Sequence, residues 1–148
     1  MSEAYYKSPY SASTKGGRWN PSGSRMIYAA SDPAVAQLEY LSINGNGVAI
    51  RLWYMIVFEI SNEKLLGTVD PTSLPKDWAA LPHSKSTQSF GKLWLEEKEH
   101  PFLRVPTARL HLTFFPKQFN LLINPDYPDL NKFLKVKETI PFSFLLNK

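Results

Sequence analysis

Residues 16–39 hold Gly16-Gly17-Arg18-Trp19-Asn20-Pro21-Ser22-Gly23, then Ser24-Arg25-Met26-Ile27-Tyr28-Ala29-Ala30, and after Ser31 the run Asp32-Pro33-Ala34-Val35-Ala36-Gln37-Leu38-Glu39. Few backbone shapes are open to such a stretch. Glycine accepts positive φ and proline fixes its own, so Arg18 is expected in a loop shaped from both sides. Met26 to Ala30 is an apolar run bounded by turn residues and predicts a short buried strand. Asp32-Pro33 predicts a helix start, because an N-cap carboxylate satisfies free N–H groups and proline at the first helical position loses no hydrogen bond. Val35, Leu38 and Leu41 share one helical face, and Glu39 lies about 100° round from Leu38, at the edge of the buried stripe. A guanidinium, two aromatic rings and a carboxylate are thereby delivered by one loop, one strand and one helix.

The chain has 148 residues, 43% of them hydrophobic and 14% aromatic. At that length a single core can bury roughly two-thirds of the unfolded surface, and the composition argues against disorder. One domain spanning residues 1–148 is therefore expected, with residues 1–15 as a short N-terminal extension. The absence of cysteine excludes disulfides, thiolate nucleophiles and cysteine-ligated metal sites. Met1 to Tyr6 lacks the basic patch and apolar core of a secretory signal. The longest apolar run, Val48 to Ile60, contains Arg51 and Glu59 and is shorter than the ~20 residues a membrane span requires. A cytoplasmic protein without membrane contact is the expectation. The net charge of +4 is concentrated in the last third, without the consecutive lysines or arginines of a nucleic-acid arm.

Beyond the first helix, Asn44-Gly45-Asn46-Gly47 breaks the chain. The even positions from Val48 to Ile60 are all apolar, which predicts one long central strand packed on a helix layer. Leu65 to Val69 reads as a shorter strand, followed by a proline-punctuated loop from Asp70 to Trp78, with Trp78 in the core. Ser86-Thr87 is expected to cap a second helix from Gln88 to about Glu99. Strands are expected at Phe102 to Val105, Arg109 to Phe115 and Asn120 to Ile123, then a turn or short helix over residues 126–134, and an extended segment to Phe144. The fold class is α+β, with one mixed twisted sheet and two main helices.

His83, His100 and His111 fall in three different elements without zinc-ligand spacing, so no metal site is expected. The glycines match neither the P-loop nor the dinucleotide fingerprint. Residue pattern alone leaves Arg18, Tyr28 and Glu39 open between site roles and a surface charge, a core ring and a solvated acid.

The blocks Gly17-Arg18-Trp19-Asn20-Pro21-x-Gly23, Ile27-Tyr28-Ala29-Ala30, Ala36-x-Leu38-Glu39, Leu74-Pro75-x-Asp77-Trp78, Gly91-x-x-Trp94-Leu95, Val105-Pro106-Thr107-Ala108 and Asn120-x-Leu122-Ile123-Asn124-Pro125 occur in the order in which they recur in the RES domain family. The chain resembles that family over nearly its whole length. This resemblance implies a fold similar to ADP-ribosyltransferase toxins and a toxin of a type II toxin–antitoxin module, paired with an Xre-type helix-turn-helix antitoxin. Contact with nucleic acid would then be indirect, through the antitoxin. The implied activity is cleavage of the nicotinamide–ribose bond of NAD, with water or phosphate as acceptor. NAD is substrate, and no prosthetic group is implied. Alternatives are ADP-ribosyl transfer to a macromolecule, and an inactive fold that only binds a partner.

Carried onto this sequence, the family's Arg, Tyr and Glu are Arg18, Tyr28 and Glu39, the expected catalytic residues. Gly17, Arg18, Trp19, Asn20 and Thr107 are the expected dinucleotide-binding residues. Nicotinamide departs as a neutral base, so the demand is stabilisation of positive charge on the ribose, a task for one carboxylate. An arginine can grip a pyrophosphate with two N–H groups, and a tyrosine can stack on nicotinamide or hydrogen-bond the ribose. Three features depart from the family pattern. Thr107 stands where serine is usual; the N-terminal strand that usually supplies an Arg and an aromatic is shortened, with Tyr5 or Tyr6 as substitutes; and Leu145-Leu146-Asn147 replaces a C-terminal Asp-x-Arg.

Overall fold

The computed structural model describes residues 1–2 and 5–146. Its elements are β1 (Ile27–Ala30), α1 (Pro33–Asn44), β2 (Trp53–Ile60), β3 (Leu66–Thr68), α2 (Lys85–Glu97), β4 (Phe102–Val105), β5 (Asn120–Ile123), the one-turn α3 (Leu130–Phe133) and β6 (Leu134–Phe142). The α+β class is as expected. The strands form two sheets, however: a four-stranded sheet in the order β1-β5-β4-β3, and an antiparallel pair of β2 with β6. Among the described residues only the pair of β3 and β4 runs parallel.

Alternation of side chains across the four-stranded sheet defines both of its faces. Leu103, Val105 and Leu122 turn to one side and pack with Trp19, Met26 and Trp94, the last from α2. Ile27, Phe102, Leu121 and Ile123 turn to the other and meet Leu134, Phe58 and Ile60 of the second sheet. The larger sheet is thus the middle layer. β5 lies between β1 and β4 in register, with Asn120 opposite both Ala30 and Val105. Asn120 therefore shares the sheet face of Tyr28 and Ala30, one strand away.

Helix α1 starts as its sequence dictates, with the Asp32 carboxylate accepting from the Val35 N–H at 3.0 Å and Pro33 in the first turn. Helix α2 begins three residues before the expected start, after Ser84. Ser86 bonds outward to Asp77 at 2.5 Å, and Thr87 donates to the Ser84 carbonyl, so neither caps the helix as expected. The buried stripe of α2 is Thr87, Gly91 and Trp94, at i, i+4 and i+7. Gly91 is required by contact: a Cβ there would lie 1.6 Å from the Trp19 carbonyl oxygen. The helix consequently rests directly on the backbone of the loop that carries Arg18.

Two expected strands are corrected. Val48 to Ile60 is not one continuous strand, because Gly45–Ile50 coils into 3-10 turns and β2 begins only at Trp53. The Trp53 indole donates to the Val48 carbonyl at 2.9 Å, anchoring the turn and burying Val48, whereas Ile50 is 85% exposed. Nor is β2 a central strand under a helix layer, since it pairs with β6 alone among the named strands. Arg109 to Phe115 is likewise no strand: Leu112–Phe114 forms a 3-10 turn whose Thr113 N–H donates to the His111 ring. A side chain that satisfies nearby backbone competes with a sheet ladder.

Three residues near the N-terminus contact the body. Ser2 bridges Trp53, Ser13 bridges Met26, and the Tyr6 ring stacks on Tyr54 with centroids 3.8 Å apart. No helix among the described residues is long and apolar enough to cross a membrane.

Candidate active site

The loop carrying Arg18 is closed by short-range bonds. Gly16 has φ of 91°, in the left-handed region that favours glycine. The Gly17 N–H donates to the Asn20 carbonyl, and the Gly17 carbonyl accepts from Gln88 Nε2 of α2 at 3.0 Å. Asn20 is fully buried; its amide donates to the Ser13 and Ser24 carbonyls, and its Oδ1 accepts the Tyr28 hydroxyl. The same hydroxyl accepts from the Trp19 N–H at 3.2 Å. Burial pushes the Tyr28 phenol well above its ordinary pKa, so this hydroxyl remains a donor across the neutral range.

From this loop Arg18 reaches the segment after the Leu74-Pro75-x-Asp77-Trp78 block. Its Nη1 donates to the Trp78 carbonyl at 2.7 Å and to the Ala80 carbonyl at 2.9 Å. Those two bonds orient the guanidinium plane. Among the described residues Nε and Nη2 have no hydrogen-bond partner and retain three N–H groups.

Glu39 projects from α1 into a separate set of donors. Its Oε1 accepts from the Thr107 hydroxyl at 2.5 Å and from Asn120 Nδ2 at 2.8 Å. Its Oε2 lies 3.5 Å from Arg109 Nε. Thr107 is itself fixed, because its oxygen accepts the Arg109 backbone N–H at 3.1 Å while the hydroxyl proton goes to the carboxylate. Threonine thus keeps the donor expected of serine, and its buried methyl adds packing.

The two sets are near enough to interact electrostatically. Burial lowers the Arg18 pKa from its ordinary value, the nearby Arg109 charge lowers it further, and the proximity of Glu39 and Tyr28 raises it. Arg18, Tyr28, Glu39 and Arg109 therefore occupy one electrostatic neighbourhood, and its fixed charges, two guanidinium groups against one carboxylate, leave it net positive.

Among the expected dinucleotide-binding residues, the Trp19 and Asn20 side chains are turned inward. Trp19 is 1% exposed and meets Phe90 edge to face, while Asn20 is consumed in holding the loop. They shape the site rather than present a surface to a ligand. Gly17 leaves room for Tyr28, since a Cβ there would stand 2.9 Å from the phenol oxygen. Tyr6 is engaged with Tyr54, and Tyr5 bonds through its backbone to Ser2 and Ser8, so neither is seen joining the Arg18–Glu39 cluster. The C-terminal departure at Asn147 lies outside the described residues.

Sequence reasoning missed Asn120, Arg109 and Gln88. Asn120 offered a signal, a polar residue at the head of an otherwise apolar strand. Arg109 follows directly on the Val105-Pro106-Thr107-Ala108 block, but its surroundings read as a strand rather than a turn.

A cavity of about 410 Å³ between the two sheets is lined mainly by apolar residues such as Ala29, Trp53, Phe58, Phe119 and Phe142, with Tyr28 and Asp32 also on its wall. Arg18, Glu39, Thr107 and Arg109 do not line it. No arginine or lysine lines it to meet a pyrophosphate, so the charged cluster is the candidate site. No group of three or more His, Asp or Glu side chains among the described residues is placed to hold a metal.

The structure defines an α+β protein in which consecutive loop, strand and helix carry an Arg, a Tyr and a Glu to one positively charged locus. The chain belongs to the RES domain family, whose profile matches residues 2–145. It is 36% identical over 121 residues to the "Prs ADP-ribosylating toxin" of Sphingobium sp. (strain YBL2), covering 80% of this chain and 71% of that protein. It is 30% identical over 135 residues to the "Toxin Res" of Yersinia enterocolitica, covering 91% and 85% respectively. A second "Toxin Res", from Photorhabdus laumondii, is 28% identical over 127 residues, covering 86% and 78%.

Proposed function

We propose that this chain is a toxin that cleaves the nicotinamide–ribose bond of NAD. The observation carrying this reading is the asymmetric Glu39 carboxylate: Thr107 and Asn120 bind Oε1, and no hydrogen bond to Oε2 is seen among the described residues. A carboxylate fixed through one oxygen keeps its other oxygen aimed and free of hydrogen bonds, which is the economy of preorganised electrostatic catalysis. As the C1′–N bond breaks, its electron pair leaves with neutral nicotinamide, and Oε2 stabilises the oxocarbenium-like ribose. Water then adds its oxygen to C1′ and releases a proton to solvent; inorganic phosphate would add in the same way. The spare Arg18 donors suit the pyrophosphate, and the Tyr28 ring, 37% exposed, suits nicotinamide or ribose.

The test is release of free nicotinamide from NAD by the full chain and by Glu39→Gln. Amide oxygen can still accept from Thr107 and Asn120, so the variant keeps the hydrogen-bonded frame and loses the charge. The expected fall is about 10²–10³-fold, the range for deleting one preorganised electrostatic group. Undiminished release would overturn the mechanism.

A second reading, transfer of ADP-ribose to a macromolecule, is favoured by the name of the Sphingobium relative. Label carried from the adenosine portion of NAD onto protein or nucleic acid distinguishes it from hydrolysis. Under either reading the chain acts in the cytoplasm and is restrained by an Xre-type antitoxin, so growth arrest on expression should be relieved by co-expressing the partner.

A further inference from the structure

The two oxygens of Glu39 are held very differently. Oε1 receives two hydrogen bonds, one from a hydroxyl on the segment after β4 and one from an amide on β5. Oε2 faces only an ion-pair contact with Arg109 Nε at 3.5 Å, with side-chain exposures of 19% for the arginine and 24% for the glutamate. Arg109 Nε is buried and makes no hydrogen bond. An ion pair without a hydrogen bond in partly exposed surroundings contributes little, whereas a buried N–H without an acceptor carries a desolvation penalty. The contact is thus weak on one side and unsatisfied on the other. The Arg109 backbone, in contrast, is pinned by its N–H to Thr107, so its side chain can turn about a fixed base.

We propose that Arg109 is a reversible cover on Glu39 Oε2 and the second guanidinium of the anion site, exchanging the carboxylate for a substrate phosphate when the dinucleotide enters. The inference rests on the NAD reading above and deepens it. A pyrophosphate brings two negative charges to a locus whose fixed groups sum to one positive charge. Arg18 supplies its spare donors and Arg109 a second guanidinium. When Arg109 turns to the phosphate, it gains the acceptor it lacks, and Oε2 is uncovered for the ribose. The group that recognises the phosphate thereby releases the group that acts on the sugar. A substrate with the same scissile bond and no pyrophosphate would leave the cover in place.

Steady-state kinetics of wild type, Arg109→Gln and Arg109→Lys are compared on NAD and on nicotinamide riboside. For Arg109→Gln the expected result is a tenfold or greater rise in KM for NAD with kcat changed by less than threefold, and an unchanged or increased kcat/KM on the riboside. A purely structural role in holding Glu39 would instead lower kcat on both substrates by the same factor and overturn the proposal. Arg109→Lys keeps the charge without the planar fork and should fall between the two, which carries the test if Arg109→Gln does not fold. Titration with inorganic pyrophosphate, followed by calorimetry, separates the two levels of the argument. If wild type releases no nicotinamide, the NAD reading fails, yet at least tenfold weaker pyrophosphate binding by the arginine variant still supports the anion role of Arg109. Equal pyrophosphate binding by wild type and variant overturns it.

Discussion

The Thr107 hydroxyl donates to Glu39 Oε1 at 2.5 Å while its oxygen accepts the Arg109 backbone N–H, so one side chain ties the carboxylate of α1 to the segment following β4. Replacing Thr107 with serine keeps both bonds and removes one buried methyl, at a cost of about 0.8 kcal/mol. Thr107→Val keeps the shape and removes both bonds, leaving the Arg109 N–H without its acceptor, at about 1–3 kcal/mol. Denaturant unfolding of both variants should rank them in that order, and nicotinamide release should fall far more in the valine variant than in the serine variant.

Gly91 is the point at which α2 touches the Trp19 backbone. With a Cβ only 1.6 Å from the Trp19 carbonyl oxygen, Gly91→Ala must displace either the helix or the loop. Overpacking of this kind costs about 1–3 kcal/mol or more, against a gain of roughly 1 kcal/mol in helix propensity. A net fall in melting temperature is expected, together with weaker NAD binding because Arg18 adjoins the displaced residue. An unchanged melting temperature would show that the contact can be relieved.

Tyr28→Phe removes a hydroxyl that donates to the buried Asn20 and accepts from the Trp19 N–H. The orphaned loop groups should cost about 1–3 kcal/mol. The phenol also has a pH signature. Its folded pKa is raised by burial, so its contribution to stability is full below the unfolded value of about 10 and is lost as pH rises toward the folded value. Equilibrium unfolding measured from pH 8 to 11 should decline more steeply in wild type than in Tyr28→Phe.

The Asp32 carboxylate caps α1, and the hydrogen bond from the Val35 N–H is the largest cause lowering its pKa. A depressed carboxylate contributes stability above its unfolded pKa of about 3.9, and that contribution is lost as pH falls through the folded value. Asp32→Ala should lose about 1 kcal/mol at neutral pH. Asp32→Asn retains a neutral cap and should flatten part of the acid limb. Parallel slopes for wild type and the asparagine variant between pH 2 and 5 would contradict this assignment.

Local signals were legible where the residue itself dictates backbone shape. Gly16, Pro21 and the Asp32-Pro33 pair placed the Arg18 loop and the start of α1 correctly, and the apolar run before Ser31 gave β1. Alternation misled where tertiary contacts took over. The pattern from Val48 looked like one strand, but the indole of Trp53 folds back onto Val48 and the chain coils before β2 begins. Likewise His111 caps its own turn rather than joining a ladder. At the candidate site, the Arg18, Tyr28 and Glu39 positions were visible in a continuous stretch and Thr107 in a later block, whereas two further partners of Glu39 were not. Asn120 and Arg109 are paired with it by sheet register and by the turn after β4, relationships that no local pattern encodes.

The clamp on Glu39 has a temporal consequence. The arginine, tyrosine and glutamate are all translated early, by residue 39, but the hydroxyl and amide that aim the carboxylate come from positions 107 and 120. A nascent chain on the ribosome would hold its three chemical groups for most of its synthesis without being able to align them. Alignment would arrive as a late event, once β5 has been made and slots between its neighbours.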